Sequence, residues 1–176
     1  MDENGVTSEG PGQDYFTAQF YSDVEAYLEQ VENRHASERV WNLYRSGNYN
    51  EAMGDCKYVL SRFPNHPRSL HLLGEIAKAT DQTSMPIPYF ERALELYPQH
   101  AYTHAQYGHY LVEINATSAG IAELLEALRR DPNQLQARAW LAEAAPDAKE
   151  PSTPADSSKA TAGPTKPTNS KGTRKD

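Results

Sequence analysis

The sequence predicts an all-α protein, an α-solenoid of stacked antiparallel helix pairs with an N-terminal helix and disordered tails. Three observations carry this. In the central region apolar residues recur at spacings of three and four rather than two, and Val and Ile are sparse, so strands are not signalled. Pro64, Pro98 and Pro132 stand at one equal interval, each closing the same kind of segment: YVLSRFPNH, RALELYPQH, EALRRDPNQ. Residues 146–176 contain no large apolar residue and cannot bury enough surface to offset chain entropy.

Residues 1–13 are Gly-rich and polar, and are expected to be disordered. Over residues 14–33, Phe16, Phe20, Val24, Tyr27, Leu28 and Val31 fall on one helical face, which predicts an amphipathic helix. Ser22 followed by Glu25 fits a capping box. Aromatic residues lie on more than one side of this helix, so it is expected either to cover the first repeat or to form a homodimer contact.

Three repeats follow, over residues 33–66, 67–100 and 101–134. Counted back from each proline, Cys56, Phe90 and Leu124 coincide, as do Val59, Ala93 and Ala127, and Leu60, Leu94 and Leu128. Leu73-Gly74 coincides with Tyr107-Gly108, and these glycines are expected where the two helices of a hairpin approach closely. Each proline lies just past a helix end and turns the chain into the next repeat. The first repeat departs from the pattern with Arg39-Val40, so its first helix is expected to pack differently, against the N-terminal helix. The second has Pro86 and Pro88 where its second helix should begin, so that helix should start late. The third has Asn115 in its turn and Gly120 where alanine is usual. A helix over residues 135–145 is expected to cap the stack with Leu135, Trp140 and Leu141. Residues 146–176 form a disordered Pro/Ala/Ser/Thr/Lys tail of about +2, which leaves about −9 on the rest of a chain of net charge −7.

That charge, with an isoelectric point near 5.4, argues against a nucleic-acid surface. Mean hydropathy is −0.77 and no window approaches the roughly 18 apolar residues of a membrane span. The N-terminus lacks the features of a signal peptide and of a myristoylation site, so a cytoplasmic location is expected. The single cysteine, Cys56, lies on the apolar stripe with Tyr49, Ala52, Val59 and Leu60 and reads as packing rather than as a nucleophile. His100, His104 and His109 are the nearest thing to a metal cluster. His104 and His109 are about 140° apart around a helix and share no face. No third ligand completes a set, so neither a metal nor a cofactor is expected. No Walker, GxSxG or GxGxxG motif is present, and the chain is expected not to be an enzyme.

The phased prolines, the Leu-Gly and Tyr-Gly pairs and the turn sequence Gly47-Asn48-Tyr49-Asn50-Glu51-Ala52 resemble the tetratricopeptide repeat (TPR) family over residues 33–134. The resemblance implies a concave groove, lined by the first helix of each repeat, that holds a protein or peptide partner. By register the groove residues are Arg34, Ser37, Trp41, Tyr44 and Arg45, then Arg68, His71, Glu75 and Lys78, then Tyr102, Ala105, His109 and Val112. Its arginines and Lys78 would meet acidic anchors, and its aromatics would take apolar ones. The carboxylate clamp of co-chaperones that bind a C-terminal Glu-Glu-Val-Asp is not matched, because the corresponding positions are Ser37, Trp41, Leu72, Tyr102 and Gln106. The expected function is a non-catalytic interaction module: an adaptor, assembly factor or scaffold subunit. A secretion-type chaperone for an aggregation-prone client and a regulatory subunit of an enzyme complex are the alternatives.

Overall fold

The computed structural model describes residues 12–148. Most of the expected tails, residues 1–11 and 149–176, lies outside the described residues. Among the described residues there is a single 3-10 turn, Ala18–Phe20, and then eight α-helices with no strand. They are α1 (Ser22–His35), α2 (Glu38–Arg45), α3 (Tyr49–Arg62), α4 (Pro67–Ala79), α5 (Ile87–Leu96), α6 (Ala101–Glu113), α7 (Thr117–Arg130) and α8 (Leu135–Ala144). Helices α2–α3, α4–α5 and α6–α7 are the three consecutive hairpins in chain order. The pairs α2–α3 and α6–α7 pack closely on each other, whereas α4 packs on α3 and α6, α5 packs on α6, and α8 packs on α6 and α7.

The repeat is visible in backbone geometry. Gly47, Asp81 and Asn115, which stand at the same interval as the prolines, adopt φ of 79°, 55° and 66°. Each follows the first helix of its hairpin. In each turn a second amide, Asn48, Gln82 or Ala116, donates back to Leu43, Ala77 or Leu111 at 2.8 Å. This is the paired-bond termination that a left-handed residue permits. Asn115 thus performs the role of glycine, because its short polar side chain tolerates the left-handed region.

The seams between repeats follow the same period. His66, His100 and Gln134 are the N-caps of α4, α6 and α8, and each side chain accepts a backbone N–H of the following turn. Helix α5 opens only at Ile87, with Pro86 as its N-cap and Pro88 in its first turn, where a missing N–H costs nothing.

One core runs through α2 to α6, with Leu60, Leu70, Leu73, Ile76 and Phe90 at its centre. A second lies among α6, α7 and α8, around Leu124, Leu128, Ala137 and Leu141. The glycines act differently in the two. A Cβ on Gly108 would meet the Gly120 carbonyl at 2.7 Å, so α6 and α7 cross at a glycine pair. Gly74 instead faces the Tyr110 ring, 3.0 Å from a would-be Cβ, and not its own hairpin partner. The late start of α5 leaves room that Tyr110 fills, with its hydroxyl donating to the Thr83 carbonyl at 2.6 Å.

Several expectations change. The N-terminal helix does not make its main contact with α2. It packs on α3, the second helix of the first repeat, through Val31, Val59 and Phe63, with Tyr27 beside Phe63. Arg39 instead turns toward Glu51 and Asp55 of α3. The capping box is not formed: Tyr21 is the N-cap of α1 and no side chain caps it. Leu135 is 74% exposed, so α8 closes the stack with Ala137 and Leu141.

Residues 12 and 13, expected to be disordered, are tied down. Residues 12–16 run across the two inter-repeat turns. The Gln13 N–H donates to the Arg62 carbonyl at 2.8 Å, and the Tyr97 hydroxyl donates to the Gly12 carbonyl at 3.2 Å. Tyr15 N–H donates to Asn65 Oδ1 at 2.9 Å, and Asn65 Nδ2 donates to Asp14 at 2.6 Å. Phe16 stacks on His100, their centroids 3.6 Å apart. At the other end, Ala148 packs against the second core.

Candidate functional site

The first helices α4 and α6, with α8 beyond them, share one face. On α4, His71, Glu75 and Lys78 follow each other at spacings of four and three and so project together. On α6, His109 and Glu113 do the same. From α8, Trp140 closes the far side, its ring 4.2 Å from that of His109. Between these helices lies a cleft of about 60 Å³ floored by Leu70, Phe90 and Tyr110.

The polar groups at its mouth form a network. Lys78 Nζ lies 2.7 Å from Glu75 and 2.8 Å from Glu113. Burial pulls the Lys78 ammonium down, but its hydrogen bonds to Glu113 and Glu75 outweigh this and hold its pKa above the ordinary value. His109 Nδ1 is 3.4 Å from the second oxygen of Glu113. Burial lowers the His109 pKa. Repulsion from Lys78 and His71 adds to that effect, and Glu113 and Glu143 oppose it. This surface is mixed in charge, not basic: Lys78 is shared by two carboxylates, and Arg45 is engaged by Glu38 at 2.5 Å within its own helix.

The register-derived residues divide into groups. His71, Glu75 and His109 line the cleft, and Lys78 bridges its mouth. Trp41 and Tyr44 sit half-buried on α2, with Trp41 5.8 Å from the His71 ring, which extends the aromatic surface toward the first repeat. Arg68 is exposed beside Trp41, and Ser37 is the N-cap of α2. Four residues need correction. Arg34 belongs to the last turn of α1, beside Tyr27 and Tyr58, because α1 runs on to His35 and α2 begins only at Glu38. Ala105 is fully buried beneath Ala137 and Leu141, because α8 packs where the equivalent His71 is open. Val112 fills the α6–α7 seam, 2.6 Å from where a Gly120 Cβ would stand. Tyr102 is half-buried with Phe16 against its edge.

The register missed Gln106, Glu113 and Trp140. A signal was present for Trp140: it lies one full period after Gln106, so extending the repeat into α8 places it on the same face. Leu72 and Gln106, two of the positions a carboxylate clamp would use, are buried.

The histidine cluster of the sequence is dispersed. His100 Nδ1 accepts from Thr103 N–H at 3.3 Å, His104 sits between Glu123 and the Pro98 carbonyl, and His109 faces the cleft. Cys56 is buried, and burial pushes its thiol up to about 12. Among the described residues no helix is long and apolar enough to cross a membrane.

No protein-family model and no curated protein matches the sequence. Solved structures similar to it in chain path include the first TPR of Spaghetti (RPAP3) bound to the HSP90 peptide SRMEEVD. That likeness has 14% identity and a TM-score of 0.46, and covers 61% of this chain and 85% of that one. A mutant O-GlcNAc transferase of Thermobaculum terrenum is similar at 27% identity and a TM-score of 0.49 over 68% of this chain, which spans 22% of the transferase. A CopN–Scc3 complex is similar at 16% identity and a TM-score of 0.47, covering 79% of this chain and 78% of that one. The helical-repeat character of this chain rests on its own geometry: left-handed turns and capped seams that recur with the period of the prolines.

Proposed function

We propose that this protein is a non-catalytic interaction module that holds a segment of a partner protein along the face of α2, α4, α6 and α8. The observation that carries the reading is the cleft beneath Trp140 and His109. It combines an aromatic wall, an apolar floor and a polar mouth on one rigid surface, the composition of a peptide-anchoring site. The cleft has room for the end of one side chain and is far smaller than the hundreds of cubic ångströms a cofactor occupies. Adaptor, assembly factor and scaffold subunit are forms of this one reading, with a cytoplasmic setting and no turnover of its own.

The test is affinity purification from the native cell with wild type and a His71→Ala/His109→Ala/Trp140→Ala variant, after circular dichroism shows both folded. A partner held by wild type and lost from the variant supports this face. A partner that survives on the variant, and is lost instead from Phe20→Ala/Tyr21→Ala in the exposed part of the N-terminal segment, moves the site there and sinks the reading. A single client kept soluble only by co-expression would identify the chaperone form, and a change in a bound enzyme's rate would identify the regulatory form.

A further inference from the structure

The cleft between α4, α6 and α8 carries an excess negative charge and an unmatched acceptor. Glu75 and Glu113 share one ammonium, that of Lys78, and the lowered pKa of His109 leaves its ring neutral near pH 7. Two carboxylates thus face one lysine, and the His71 ring lies 4.0 Å from Glu75. Glu143 adds a further carboxylate near His109.

Gln106 lines the same cleft. Its Nε2 donates to the Pro67 carbonyl at 3.0 Å. That bond fixes which way the amide points, since the reverse placement would set two carbonyl oxygens against each other. Gln106 Oε1 is buried, and among the described residues no donor reaches it. A buried acceptor without a donor is costly, and a ligand that supplies one recovers the loss.

We propose that this cleft receives an arginine side chain of the partner segment. The inference rests on the reading that this face is the binding surface, and it names the chemistry of the anchor. A guanidinium is a flat cation with donors along its edges. It can meet the excess carboxylate charge while its face lies against the Trp140 ring, and it reaches the Gln106 acceptor once the side chains that close over Oε1 part. A lysine ammonium is a point charge and satisfies fewer of these demands. An acidic anchor, which a basic groove would have selected, meets Glu75 and Glu113 and is repelled. The cleft, about 60 Å³, admits the end of one such side chain.

The experiment titrates the ¹⁵N-labelled full chain with N-acetyl-arginine amide, and separately with the lysine and glutamate amides. The chain has two tryptophans, so the Trp41 and Trp140 indole N–H signals can be told apart. The arginine probe is expected to shift the Trp140 indole and the Gln106 carboxamide while leaving the Trp41 indole in place. It should saturate at a concentration several-fold lower than lysine, with glutamate without effect. Glu113→Gln, at the surface, should weaken the response by about 5–10-fold, and Glu75→Gln serves if that variant does not fold. Equal shifts with lysine, shifts with glutamate, or a response unchanged in both glutamine variants overturns the proposal. If the groove variant loses its partner in cells while arginine moves nothing, the anchor chemistry is wrong and the binding face stands. If the partner survives the groove variant, the face is wrong and an arginine site there has no partner to serve.

Discussion

Gly108 and Gly120 face each other across the α6–α7 crossing, so close that a Cβ on either would come within 2.7 Å of the other's carbonyl oxygen. The neighbour is backbone and cannot swing aside. Gly120→Ala should therefore destabilise the fold by about 1–3 kcal/mol, the overpacking cost exceeding the helix-propensity gain. Gly54, in the interior of α3, has nothing within 4 Å of a would-be Cβ. Gly54→Ala should stabilise by about 0.5–1 kcal/mol. Urea denaturation of both variants checks the pair, and two shifts of the same sign would contradict the structure.

His66 ties α1 to the start of α4. Its Nδ1 accepts from Ser69 N–H, which leaves Nε2–H to donate to Glu32 at 3.0 Å. That hydrogen bond holds the Glu32 carboxyl below its usual range, against the opposing effect of burial. A carboxylate with a depressed folded pKa stabilises the fold above its unfolded value, near 4.3, and the contribution disappears as pH falls through the folded value. Glu32→Gln should be less stable than wild type near neutral pH, and the gap should close in acid. A gap that stays constant down to about pH 3 would show that the carboxylate charge plays no part.

Phe16, stacked on His100 and edge-on to Tyr102, pins the leading segment over the inter-repeat turns. Phe16→Ala should cost about 1–2 kcal/mol. Chymotryptic cleavage at Tyr15 or Tyr21 should accelerate while far-ultraviolet circular dichroism stays unchanged. Unaltered proteolysis would mean that the hydrogen bonds of residues 12–15 suffice without the ring.

Cys56 is buried in the first core with its thiol pushed up to about 12. A protonated, enclosed thiol is a poor nucleophile. A thiol reagent near pH 8 should leave the native protein unlabelled and react fully once guanidinium is added. Rapid native labelling would expose a local opening of α3 that the packing does not provide for.

By itself the sequence determined the solenoid, its repeat period, its turns and the late start of α5. These follow from local chemistry: helical spacing of apolar residues, proline at helix boundaries, and residues that tolerate left-handed backbone. It also located the inter-repeat turns, though not the capping role of His66 and His100, because a histidine acceptor at an N-cap depends on its tautomer. Which register positions reach the surface was decided by tertiary structure. Ala105 is covered by α8, Val112 is taken into the seam that Gly120 opens, and Arg34 is left on α1. The charge of the face was decided there too, because Lys78 meets Glu113 only when α4 and α6 lie side by side, 35 residues apart in the chain. The bond from Tyr97 to Gly12 spans 85 residues. Such contacts join segments whose local patterns carry no trace of each other, so only the folded chain brings them together.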